Sequence, residues 1–133
     1  MTIGTIGQQI ANLQTLHDRV KEQKYSTMAV LLELSGLLSG AFPDATTLPL
    51  YAADAIRGST NDALTLHYRL LRGWHLRMET QRDGSWLVWT DEKRGLRRRG
   101  FQGHNRNLAV ALFLATAQAH IARMHLLLPE KEK

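Results

Sequence analysis

The sequence predicts an α+β domain: amino-terminal helices, a two- or three-stranded antiparallel sheet over residues 74–102, and a long carboxy-terminal helix packed on that sheet. Three observations lead there. Apolar residues recur at steps of three and four as far as Arg72, and the period changes to two at Trp74. From Leu108 onward a third segment is apolar nearly all round, the mark of a helix covered on most sides.

In the first segment, residues 3–24, Ile3, Ile6, Ile10, Leu13 and Val20 share one helical face, with Leu16 alongside. His17 is polar where the pattern wants an apolar residue, and Gly4 and Gly7 weaken the first turn by up to ~1 kcal/mol each relative to Ala. Ser26 is placed to cap a second helix carrying Met28, Val30, Leu31, Leu34, Leu37 and Leu38, which Gly40 ends. A loop over residues 41–47, with Pro43 and Asp44, leads to a short helix with Pro49 in its first turn, ending at Gly58. Ser59 or Thr60 caps the next helix, which closes on Arg69, Arg72 and Gly73.

Trp74, Leu76, Met78 and Thr80 then alternate with His75, Arg77, Glu79 and Gln81, and residues 86–90 return after a turn at Arg82, Asp83 and Gly84. The turn admits two registers. A two-residue turn pairs Met78 with Trp89, whereas a three-residue loop with Gly84 left-handed pairs Met78 with Val88. Strand faces alternate, so the choice decides whether Leu87 and Trp89 or Trp86 and Val88 face the core. Residues 91–95 are expected to form a charged turn. Residues 96–102 are expected to add an edge strand whose arginines discourage further pairing. Asn105 or Asn107 caps the last helix, which Pro129 stops; Thr116, Gln118, His120, Arg123 and His125 keep it from being a membrane span.

With 133 residues the chain is long enough for one core and short for two, so residues 1–133 form one domain: a helical region over residues 1–72, the sheet and final helix over 73–128, and a charged tail over 129–133. The absence of cysteine excludes disulfide frameworks, thiolate metal sites and cysteine nucleophiles. It also fits a reducing compartment, and no basic residue precedes the first apolar positions as a secretory signal requires, so the expected location is the cytoplasm.

The net charge of +5 is unevenly placed. Residues 1–68 hold four basic and six acidic residues, whereas residues 69–106 hold ten basic and four acidic ones together with Trp74, Trp86 and Trp89. Such a segment attracts an anionic partner by its field and holds it by flat apolar contact. The candidate binding residues are therefore Arg77, Trp86, Trp89, Lys93, Arg94, Arg97, Arg98, Arg99, His104 and Arg106. Lysines and arginines acting together suit phosphate backbones, and arginine's fork also suits carboxylates, so both DNA or RNA and an acidic protein surface fit. A plain solvated edge strand accounts for the same charges. At least one tryptophan is expected in the core, and one on the opposite face becomes the stacking or hot-spot residue.

No nucleophile elbow, phosphate-binding loop or paired metal-ligand motif occurs. His120 and His125 are five apart, off the spacing that lets two imidazoles share a metal from one helix face. No catalytic residue, metal or cofactor is expected. The Ile3 to Val20 stripe reads as core, though its spacing would also serve a homodimer.

From Asn61 to Ala119 the order is a helix opening on Asn61, Asp62 and Ala63, a Trp-bearing hairpin, then a helix opening on Asn105, Arg106, Asn107, Leu108 and Ala109. This resembles the small helix–sheet–helix proteins of tailed phages called the phage ABA sandwich. The resemblance implies a phage or prophage accessory protein that binds and disables or redirects host machinery in the host cytoplasm. The same stretch is similar in architecture to the three-stranded sheet plus helix of plant ethylene-response and integrase arm-type DNA-binding domains. There Arg77, Trp86, Trp89 and Arg97 to Arg99 would be the matching kinds of residue, although no glycine-arginine-tryptophan cluster opens the first strand. The function expected from these readings is a binding protein that engages a host protein or nucleoprotein complex through a basic, Trp-bearing sheet face. Direct nucleic-acid binding is the alternative.

Overall fold

A computed structural model describes residues 6–22, 36–42, 47–94 and 97–127, with residues 93, 94, 97–99 and 127 described as backbone. The arrangement is α+β. Helix α1 (Ile6–Glu22) is followed by a helical stretch at 36–40, α2 (Leu48–Ile56) and α3 (Thr60–Leu70). Strands β1 (His75–Thr80), β2 (Trp86–Arg94) and β3 (Arg97–Asn105) form an antiparallel sheet in sequential order, and α4 (Leu108–Leu127) closes the fold. Ser26 and the start of the second helix, Pro43 and Asp44 of the loop, and the tail 129–133 lie outside the described residues.

The element boundaries follow local chemistry. Ser59 caps α3: its hydroxyl accepts from the Asp62 amide at 3.3 Å and donates to the Asp62 carboxylate at 2.8 Å. Asn107 caps α4 by accepting from the Val110 amide at 3.3 Å, while Asn105 Oδ1 accepts from the Asn107 amide at 2.9 Å and shapes the approach.

Helix α4 is the centre of the molecule. It packs against β2 and β3 on one side and against α1, α2 and α3 on the others, so Ala109 through Ala117 are all buried. The contact with the sheet is closest at Gly103. A Cβ there would stand 2.6 Å from the Ala115 amide nitrogen and nearer still to the Ala111 carbonyl, so no larger residue fits. On the other side, Ile10, Leu13, Leu16 and Val20 of α1 are buried within the single chain. This part of the α1 stripe packs against α4. His17 shares that buried face and is hydrogen-bonded to Gln118 of α4 at 3.1 Å and to Asp18 at 3.0 Å.

The hairpin uses the three-residue loop. Gln81 and Ser85 close it, the Gly84 amide donates to the Gln81 carbonyl at 3.0 Å, and Gly84 takes φ 86°, the left-handed region open to glycine. Met78 therefore pairs with Val88. Trp86, Val88 and Thr90 share the core face with Trp74 and Leu76, and the Trp74 and Phe101 rings lie 6.2 Å apart there. The expected charged turn at 91–95 is instead strand as far as Arg94, and β3 runs on to Asn105, past the expected end at Gln102. Backbone pairing continues through this segment because the ladder from Asp91↔Gly100 to Arg94↔Arg97 is in register, which side-chain polarity does not reveal.

Candidate functional site

Alternation along the three strands builds a second sheet face, opposite α4. Three rows cross it: His75, Asp91 and Gly100; Arg77, Trp89 and Gln102; and Glu79, Leu87 and His104. All nine are exposed or half-buried. In the middle row the Arg77 guanidinium lies over the Trp89 indole, its carbon 4.5 Å from the ring centroid. A cation held this way is worth about 0.5–1 kcal/mol at an exposed site and leaves its outward N–H groups available. Beside the pair is a shallow groove of about 370 Å³ lined by His75, Leu76, Arg77, Trp89, Thr90, Asp91 and Gly100. The groove exists where Gly100 contributes no side chain to the row.

Of the two candidate tryptophans, Trp86 is the one that the register turns toward the core. It lies on the α4 side and packs, half-buried, against the core. Arg77 and Trp89 are brought together, with His104 on the same face one row away. Arg106 is exposed in the loop before α4.

Lys93, Arg94, Arg97, Arg98 and Arg99 fall where only the backbone is described. Their register is Lys93↔Arg98, Arg94↔Arg97 and Glu92↔Arg99. Strand parity puts Lys93 and Arg98 at positions of the Trp89 face, and Arg94, Arg97 and Arg99 at positions of the other. The run of arginines is thus divided between two faces. Beyond the His75↔Asp91 pair β1 has ended, so these residues belong to a two-stranded ribbon.

No family model, curated protein or solved structure matches this chain.

At the hairpin turn, Asp83, Ser85 and His104 form a chain of short hydrogen bonds. The Ser85 hydroxyl donates to Asp83 Oδ1 at 2.6 Å, and His104 Nε2 lies 2.6 Å from the same hydroxyl oxygen. With the hydroxyl proton directed at the Asp83 carboxylate, His104 is the donor to Ser85. A serine nucleophile requires the histidine as acceptor of its proton and the carboxylate behind the histidine, so this order ties the turn to β3 and does not activate Ser85. Bonds from the Ser85 hydroxyl and amide hold the Asp83 carboxyl below its usual 3.8, with smaller help from His104 and Arg106. Sequence reading missed this link because its members are 19 residues apart and meet only through the β2–β3 register.

Two further histidines are buried away from this face. His67 Nε2 is hydrogen-bonded to Thr90 Oγ1 at 2.6 Å, joining α3 to the core side of β2, and burial pushes its pKa from 6.5 to about 4. His120 stacks on Phe42 with centroids 6.3 Å apart, and among the described residues neither ring nitrogen has a hydrogen-bond partner. Burial, aided by the charge of Arg123, lowers its pKa to about 4 as well. No group of three metal-ligating side chains occurs among the described residues, and none of the described helices is long and apolar enough to cross a membrane.

Proposed function

We propose that this chain is a non-enzymatic binding protein that engages an acidic surface of another protein, alone or within a nucleoprotein complex. The contact runs through the sheet face centred on Arg77 and Trp89. The observation that carries this reading is the Arg77 guanidinium laid over the Trp89 indole in the middle of a face that α4 leaves uncovered. Tryptophan and arginine are the residues most enriched where interface energy concentrates, and a rigid anchor loses little freedom on binding. Glu79 and Asp91 share the face with Arg77 and His104, and such mixed signs give register against a protein surface with its own charge pattern. The resemblance to phage accessory proteins supports the same reading, with a host protein in the host cytoplasm as the partner.

The two-stranded ribbon favours a second reading. Basic positions stand opposite basic positions in the register Lys93↔Arg98 and Arg94↔Arg97, a local run of positive charge that suits an anionic partner. A two-stranded ribbon also fits the major groove of duplex DNA. Affinity capture with and without nuclease separates the two. A partner retained by wild type after nuclease treatment and lost by W89A supports the protein reading. Retention that nuclease abolishes, with duplex binding that falls steeply between 50 and 200 mM salt, supports the second.

A further inference from the structure

The end of α3 carries a second set of aromatic-backed guanidiniums, sharing no residue with the sheet face. Arg69 lies over the Tyr51 ring of α2, its guanidinium carbon 5.4 Å from the centroid. Arg72 lies over the Tyr68 ring at 5.6 Å, and its Nη2 donates to the Tyr68 hydroxyl at 3.5 Å. Leu48, Tyr68, Arg69 and Arg72 line a groove of about 410 Å³. Among the described residues neither arginine is ion-paired. Tyr68 is 60% exposed, and Leu50 on α2 is 64% exposed.

Unpaired arginines on a surface are ordinary. Here both cations are held against tyrosine rings, Arg69 by Tyr51 and Arg72 by Tyr68. Stacking orients the guanidinium plane of Arg69, Arg72 keeps N–H groups for a carboxylate beyond the one given to Tyr68, and the exposed Tyr68 ring offers apolar surface beside the edge of the buried Leu48.

We propose that this groove is a docking site for an acidic peptide segment of a partner protein. Carboxylates of the segment go to Arg69 and Arg72, and an apolar side chain between them rests on the exposed ring of Tyr68. The same two cations reject a basic segment.

The test is a titration of the full chain, at 0.1 M salt, with a fluorescein-labelled dodecapeptide of alternating Glu and Leu, followed by anisotropy. Wild type is expected to bind it, the R69Q/R72Q variant at least tenfold more weakly, and Y68A at least fivefold more weakly. All three substitutions are at exposed positions, and circular dichroism checks the fold. The R77A/W89A variant, altered only at the sheet face, is expected to keep wild-type affinity for this peptide, so the test stands whatever becomes of the sheet reading. Unchanged binding by R69Q/R72Q or by Y68A overturns the proposal, as does loss of binding in R77A/W89A alone. Displacement of the peptide by millimolar inorganic phosphate overturns it too, because the groove would then be a simple oxyanion site.

Discussion

Arg77 and Trp89 are directly opposed across β1 and β2, and the guanidinium of one covers the indole of the other at 4.5 Å. That relationship depends on a single turn residue. Had the hairpin closed with a two-residue turn, every residue of β2 would have slipped by one, Trp89 would have joined the core, and Val88 would face solvent. Gly84 at φ 86° therefore determines which tryptophan is available for binding.

Substituting Gly84 tests that dependence. G84V forces a β-branched residue into the left-handed region and is expected to cost about 1–3 kcal/mol, read as a shift in the denaturation midpoint. The Trp89 fluorescence environment should change with it. G84N, which tolerates that region better, is expected to cost less than half as much.

The two glycines of β3 are expected to respond oppositely. Gly103 sits where α4 touches the sheet, and a Cβ there meets backbone, so G103A is expected to lose about 3 kcal/mol, or roughly 10 °C of Tm. At Gly100 a Cβ would meet only Asp91 Cβ at 3.7 Å and the Thr90 carbonyl at 3.9 Å, which is ordinary contact. G100L is therefore expected to fold with Tm within a few degrees of wild type while filling the groove beside Trp89. It should weaken binding of a sheet-face partner by tenfold or more. Equal Tm losses for the two variants would contradict this division of roles.

Acid is expected to destabilise the fold through His67 and His120. Both are neutral when folded, with pKa values near 4, whereas in the unfolded chain they titrate near 6.5. The unfolded state thus binds more protons between these values, so stability is full above pH ~6.5 and is lost as pH falls toward 4. At pH 5 each group removes on the order of 2 kcal/mol, measurable by urea denaturation at pH 7.5 and 5.0. Among the described residues His120 has no hydrogen bond to lose, so H120L is expected to be nearly neutral at pH 7.5 and to be more stable than wild type at pH 5 by about 2 kcal/mol. A variant with the same acid sensitivity as wild type would contradict the assignment.

Much of this architecture is legible from periodicity. The three-four spacing in α1, the switch to alternation at Trp74 and the all-round apolar start of α4 each reflect burial, which selects residue type directly. The strand character of Asp91 to Arg94 was not legible, because residues beyond the core are held by backbone pairing and carry no apolar alternation. His17 looked like a flaw in an apolar stripe; its partner Gln118 lies 101 residues away, a distance no local pattern spans. For the site, the basic and tryptophan-rich stretch was visible from composition. Its division between two faces required the register, which the turn left open between two solutions. The Arg69 and Arg72 groove was hidden for a similar reason: its Leu48, and the Tyr51 ring behind Arg69, come from another helix.

Removing the Ser85 hydroxyl is expected to free His104 and loosen the turn without disturbing the core. S85A should cost about 1–2 kcal/mol and raise the Asp83 pKa toward 3.8, followed by carboxyl NMR titration.

The central claim is that Arg77 and Trp89 act as one anchor for a protein partner, and a double-mutant cycle on the captured, nuclease-resistant partner tests it most directly. With wild type, R77A, W89A and the double variant titrated at one salt concentration, each single change is expected to weaken binding at least tenfold. The double variant should be weaker by less than the product of the two, because each residue acts through the other. Affinities within twofold of wild type for R77A and W89A would contradict the account.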